Sequence, residues 1–135
     1  MAPRVLISDA LSPAAVQIFK DRGVEVDFQP KLGADKDKLA ELIGQFDGLA
    51  IRSATKVTPK VLEKAKNLKV IGRAGIGVDN VDIPAATARN CRISVARIRR
   101  CWTYVSMAWA MILGTTRFRL LLRSVITIRV NTNPR

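Results

Sequence analysis

The chain of 135 residues contains no histidine, no acidic residue after Asp82 and no lysine after Lys69. Aromatic residues make up 5% of it, and its two cysteines are Cys91 and Cys101. Each shortage excludes something. Without histidine, the side chain that most often moves protons near neutral pH is missing. Ser–His and Cys–His nucleophile pairs cannot be built, so Ser12, Ser53, Cys91 and Cys101 have no base. Two cysteines separated by nine intervening residues, with no CxxC pair, do not make a zinc site. Sparse aromatics with 48% hydrophobic residues mean an aliphatic core. The opening MAPRVLISDA has no long apolar run and reaches Asp9 early, so it does not read as a secretory signal. A cytoplasmic protein with reduced thiols is the expectation.

Charge divides the chain. Residues 1–90 carry 14 Lys and Arg against 11 Asp and Glu, whereas residues 91–135 carry nine Arg and no other charged side chain. The net charge of +12 therefore describes neither part. Two segments are expected: an ordinary domain over 1–90 and an atypical Arg-rich tail over 91–135, frameshifted or poorly ordered.

In the first segment, β-type runs alternate with helix signals. VLIS (5–8) reads as a strand. Ser12 and Pro13 supply an N-cap and a first helical residue for AAVQIFKDR, with Gly23 as its stop. VEVDF (24–28) alternates as a strand with one face more exposed. Asp35 opens a helix, DKDKLAELIGQF, with Leu39, Leu42 and Ile43 on one stripe. GLAI (48–51) is a third strand, Thr58 and Pro59 repeat the cap-plus-proline device, and LKVIG (68–72) is a fourth strand. Ile83 and Pro84 begin a short helix, and CRISVA (91–96) can add a fifth strand. This alternation predicts an α/β fold with a parallel, doubly wound sheet.

Ligands of such sheets gather beyond the carboxyl ends of the strands. Two loops lie there: RSATKVT (52–58) and GRAGIGVDNVD (72–82). Arg52 and Arg73 offer forked donors to a carboxylate or phosphate. Ser53 and Thr55 add hydroxyls, while Gly75 and Gly77 let backbone amides approach an anion. The same residues also suit a solvated surface and a plain turn. The glycines do not form a dinucleotide turn. From Gly75 the order is G-I-G-V-D-N, without the third glycine, and about twenty residues on stand Arg97, Arg99 and Arg100 where that motif needs an acid.

The segments ISDALSPAAVQIFKDRGVEVD, DGLAIRSATKVT and LKVIGRAGIGVDNVDIPAATAR closely resemble the N-terminal part of bacterial D-3-phosphoglycerate dehydrogenases, within the D-2-hydroxyacid dehydrogenase family. The resemblance runs from about residue 5 to 90. It implies a flavodoxin-like outer domain that helps to hold the hydroxyacid, beside a separate Rossmann domain that binds NAD and carries the catalytic Arg, Glu and His. It places Arg52, Ser53, Arg73 and Gly75 toward a 3-phosphoglycerate-like anion. It sets Ile76 and Gly77 near the nicotinamide, with Ile76 where relatives commonly have Thr. The family's histidine cannot exist here, and no Glu follows Glu63. The chain alone is therefore expected to be an inactive, truncated relative of the serine-biosynthesis oxidoreductases. It is expected to bind the anion weakly at best, to hold no NAD by itself, and to have a full-length homologue as a candidate partner.

Three readings compete for residues 91–135. A nucleic-acid-binding tail would use the arginines with Trp102, Tyr104, Trp109 and Phe118, but the arginines bracket the aromatics and do not interleave with them. A membrane segment would use residues 101–116, sixteen uncharged positions where a span needs roughly twenty; an interfacial helix fits better. The favoured reading is translation in a shifted frame, which accounts for a tail rich in Arg yet free of Lys and acid. Within it, RLLLRSVITIRV is an aggregation hazard if unpaired.

Overall fold

The structure, a computed structural model, describes residues 2–96 and the strand at 126–128. The elements alternate as β1 (Arg4–Ile7), α1 (Pro13–Asp21), β2 (Glu25–Phe28), α2 (Lys36–Leu42), β3 (Gly48–Ile51), α3 (Pro59–Lys64), β4 (Val70–Ala74), α4 (Ile83–Ala88), β5 (Arg92–Ala96) and β6 (Ile126–Ile128). The sheet order is β2-β1-β3-β4-β5-β6. The first five strands are parallel, and β6 runs antiparallel to β5. This is the flavodoxin-like order, with an antiparallel strand added at one edge. The expected α/β doubly wound fold is present, and the 91–96 run does join as a fifth strand beside the fourth. Part of the RLLLRSVITIRV run is paired, through Ile126–Ile128. The readings placed on residues 97–125 and 129–135, Cys101 included, lie outside the described residues.

The central strands are largely apolar because both faces of the sheet are covered. Val5 and Ile7 point toward α1, where they pack with Ala15, Phe19, Val24, Ala50 and Val70. Leu6 points the other way, with Leu49, Ile51, Ile71 and Ile93, onto Leu39, Val61, Leu62 and Ala86 of α2 to α4 and onto Ile43 just after α2. Each fully buried aliphatic or aromatic side chain contributes about 1.5–3 kcal/mol relative to exposure. The edge strand β2 departs from this pattern, with Glu25 and Phe28 exposed.

Local chemistry starts and stops the helices. The Ser12 side chain accepts from the Ala15 N–H, and Asp35 accepts from Lys38. α1 ends as a Schellman turn. Gly23, at φ +73°, donates to Lys20 O, while Val24 donates to Phe19 O. That pairing places Val24 against Phe19. α4 ends in the same way at Asn90 (φ 54°), with bonds from Asn90 to Thr87 O and from Cys91 to Ala86 O.

Three expectations need correction. The helix after Asp35 stops at Leu42 and continues as a tight turn over Ile43–Gln45. Gly44 there lies against α3's exit: a Cβ would stand 2.9 Å from Lys64 O, and Asn67 donates to Gly44 O at 2.9 Å. Thr58 has the extended backbone of a cap but makes no side-chain cap bond. The chain reaches it from a bridge between Val57 and Val81, so Pro59 and that bridge set the helix entry. The fourth strand begins at Val70, two residues later than expected, because the Lys69 N–H is taken by Asp47 O. Arg73 thus lies inside β4, opposite Ile51, and Gly72 is a sheet residue paired with Ala50.

Candidate functional site at the carboxyl edge

The strand order reverses between β1 and β3, so the crevice of the fold opens beyond their carboxyl ends. Residues 8–9 and 52–55 meet there. Asp9 is 2% exposed. Its Oδ2 accepts from the backbone N–H groups of Arg52 and Thr55, and its Oδ1 accepts from the Thr55 hydroxyl at 2.7 Å. Thr55 Oγ1 also lies 2.8 Å from Ser8 Oγ. From the β4 side, Asn80 Nδ2 donates to the carbonyls of Arg52 and Thr55, both at 2.7 Å. Gly33 closes the floor of this cluster. A Cβ there would collide with Thr55 Oγ1 and stand 2.5 Å from Asp9 Oδ1.

The expected site residues divide into two groups. Arg52 and Ser53 are exposed, and Arg52 Nη1 donates to Ala10 O at 3.1 Å. Thr55 is fully buried and its hydroxyl is engaged within the cluster, so it is a structural donor and not a free ligand group. Arg73 is 7% exposed. Its Nη1 donates to Ile76 O at 2.7 Å and to Asp79 Oδ1 at 2.9 Å. Gly75 (φ 154°) and Gly77 (φ 83°) allow the loop to wrap this guanidinium. A Cβ on Gly77 would lie 3.4 Å from Arg73 Nη1 and from Asp79 Oδ1. Ile76 stands at the tip, 76% exposed.

The fold thus sets Arg52 and Arg73 at the carboxyl ends of neighbouring strands, yet their guanidinium groups engage different acceptors. Among the described residues, the buried side-chain nitrogen and oxygen atoms without a partner are Arg73 Nε, Asn80 Oδ1 and Ser94 Oγ. Arg73 is therefore a buried cation whose buried Nε–H is still to be satisfied. Sequence reasoning missed Asp9 and Asn80. An acid directly after the first strand of an alternating α/β chain was an available signal for Asp9.

Other chemistry is poorly supported. No group of three or more His, Cys, Asp or Glu among the described residues is placed to hold a metal ion. Burial pushes the Cys91 thiol up to about 12, although Arg89 pulls the other way, so it is not a ready nucleophile. Among the described residues no helix is long and apolar enough to cross a membrane.

Residues 5–98 match the family model for the D-isomer specific 2-hydroxyacid dehydrogenase catalytic domain, eight residues past the expected end near Asn90. D-3-phosphoglycerate dehydrogenase of Sus scrofa is 48% identical over 86 residues, which is 64% of this chain and 16% of that protein. The enzyme of the same name from Mycobacterium tuberculosis H37Rv is 41% identical over 115 residues, 85% of this chain and 21% of its own length. The likeness to it therefore extends beyond residue 98. The chain spans only about a fifth or less of these curated relatives. A crystal structure of a Pyrococcus horikoshii protein superposes with a TM-score of 0.65 at 32% identity, covering 70% of this chain and 28% of that one. An NAD+-bound 3-phosphoglycerate dehydrogenase of Entamoeba histolytica shares the fold, with a TM-score of 0.63 at 24% identity over 71% of this chain and 33% of its own.

Proposed function

The chain belongs to the D-isomer specific 2-hydroxyacid dehydrogenase family, and on that premise we propose that it forms one wall of such an enzyme's cleft, receiving a small 2-hydroxyacid anion of the 3-phosphoglycerate type. The observation that carries this reading is the pair of arginines at the carboxyl edge. Arg52 directly follows Ile51, and Ile51 is paired with Arg73 on the next parallel strand. Arg52 and Ser53 offer exposed donors to one acid group. Arg73, with its unpartnered Nε, and the amide of Gly75 serve another once the 74–79 loop shifts. Forked guanidinium donors suit both carboxylate and phosphate.

Oxidation of a 2-hydroxy acid needs a hydride acceptor and a base for the hydroxyl proton. The residues present do not fit a dinucleotide: the glycine loop wraps Arg73 and leaves no cradle for a pyrophosphate. Ile76 and Gly77 would give at most a contact to NAD held by another domain, with the exposed Ile76 side chain as an apolar surface. With no histidine in the sequence, the family's proton acceptor would also come from elsewhere, for example from a full-length homologue. The chain by itself binds the acid weakly and does not turn it over.

Two measurements test this. The purified chain with NAD and 3-phosphoglycerate should produce no NADH absorbance above a blank; turnover would refute inactivity. Titrating 3-phosphoglycerate into the isotope-labelled chain should shift amide signals at Arg52, Ser53 and Gly75. Shifts confined to other parts of the fold would refute the site.

A further inference from the structure

Asp9 is a buried carboxylate that the proposed function leaves without a role. It lies beneath a site read as anion-binding, where a negative charge is electrostatically unhelpful. Its bonds supply a reason for its presence. The segment 52–55 has four backbone polar groups at its two ends: the N–H and C=O of Arg52 and of Thr55. Asp9 Oδ2 accepts from both N–H groups, and Asn80 Nδ2 donates to both carbonyls. Two side chains, from the end of β1 and from the loop after β4, thus hold the turn from opposite sides. Its backbone is held from within the protein, while Arg52, Ser53 and Ala54 remain exposed.

We propose that Asp9 and Asn80 are positioning residues that clamp the 52–55 turn and so fix the direction in which Arg52 and Ser53 meet an anionic ligand. This rests on the anion site of the proposed function. Neither residue touches the ligand. The advantage is preorganisation: a turn already held in its binding geometry loses less conformational freedom when the ligand arrives.

Charge and clamping predict opposite results for Asp9→Ala. If Asp9 acted only through its charge, Asp9→Asn and Asp9→Ala would both tighten anion binding. As a clamp, Asp9→Asn keeps its function. The amide oxygen can still take both N–H groups, and the amide nitrogen can donate to Thr55 Oγ1. Asp9→Ala loses all three bonds.

The test uses the full chain, with 3-phosphoglycerate titrations and amide hydrogen exchange on wild type, Asp9→Asn, Asp9→Ala and Asn80→Ala. Asp9→Ala and Asn80→Ala should weaken binding by about tenfold or more, since each removes at least two hydrogen bonds at a buried site. Asp9→Asn should bind within about threefold of wild type, or more tightly. Independently of any ligand, the Arg52 and Thr55 amides should exchange much faster in Asp9→Ala than in wild type, while the Leu49 and Ile71 amides keep their protection. Should Asp9→Ala fail to fold, Asn80→Ala carries the same comparison. Unchanged exchange at Arg52 and Thr55, or unchanged binding in both alanine variants, would overturn the clamp while leaving the anion site standing. No binding by the wild type would overturn the anion site itself, and with it the positioning role.

Discussion

The two loops at the carboxyl edge hold their arginines in opposite ways. In the 52–55 turn the frame is buried and the arginine exposed: Asp9 and Asn80 hold the backbone from within, and Arg52 lies on the surface. In the 74–79 loop the arginine is buried and the frame exposed. Arg73 is 7% exposed, whereas its ion-pair partner Asp79 is 82% exposed. A buried cation without partners is costly, but a carboxylate standing in water contributes little to an ion pair. The first loop is therefore pinned by several buried bonds, and the second by one guanidinium gripping its own chain. Two surface loops of similar composition thus differ in stiffness, and the 74–79 loop is the one suited to rearrange around a ligand.

The strongest way to break this contrast is to crowd the buried frame of the first loop. Gly33 has an ordinary backbone conformation, so strain is not at issue. The problem is space, since a Cβ would collide with Thr55 Oγ1, a group already held by Asp9 and Ser8. Gly33→Ala should cost about 3 kcal/mol or more, read as a fall in the urea midpoint. A loss under about 1 kcal/mol would mean that the cluster yields easily and that the first loop is no stiffer than the second.

A smaller effect is expected from Asp79→Asn. This variant leaves the Arg73 guanidinium its bond to Ile76 O but removes the charged acceptor. The cost should be about 1 kcal/mol, because the amide oxygen can still accept from the guanidinium and only the charge of a largely exposed carboxylate is lost. Amides from residue 75 to 79 should then exchange faster, with those of Arg52 and Thr55 unchanged. Equal loosening of both loops would show that they form one unit and would remove the distinction.

What the sequence made legible follows the range of the interactions. Ser12, Asp35 and Pro13 act within a few residues of themselves, and the helices they open were readable. The run GLAI became β3 without adjustment, since a short apolar segment bounded by Asp47 and Arg52 has few alternatives. The start of β4 was not readable, because it depends on Asp47 O accepting from Lys69, twenty-two positions along the chain. Asp9 and Asn80 were missed for the same reason. Their partners lie 43 to 46 and 25 to 28 positions away, and only the folded sheet brings them together. Arg73 was read as a loop residue beyond the fourth strand and lies instead near the carboxyl end of β4 itself. Its inward turn depends on Asp79 and on two glycine conformations that residue types alone do not reveal.

The opposite edge of the sheet supplies the smallest effect and a control for both loops. Asp47 Oδ1 takes the Lys69 ammonium at 2.9 Å, and its Oδ2 takes the Arg4 N–H at 3.1 Å. Burial pushes this carboxyl up, but the Lys69 hydrogen bond, the Arg4 N–H and the two positive charges together outweigh burial and hold it below its ordinary 3.8. The fold thus favours the ionised form. Its stabilising contribution is complete above the unfolded-state value and is lost as pH falls through the lower folded-state value. Asp47→Asn should therefore cost up to about 1 kcal/mol at pH 7. The gap from wild type should narrow progressively below about pH 3.8. Asp35, held low by the Lys38 N–H and ammonium, titrates in the same range but is present in both proteins and cancels in the difference. Urea midpoints of the pair from pH 7 down to pH 3 give the measurement, and a gap that widens with acid would reverse the assigned sign. Because Asp47 lies at the amino ends of the strands, the amides of 52–55 and 75–79 should exchange alike in both proteins at pH 7. Any change there would mean that the carboxyl-edge loops take their stiffness from the whole sheet and not from their own buried partners.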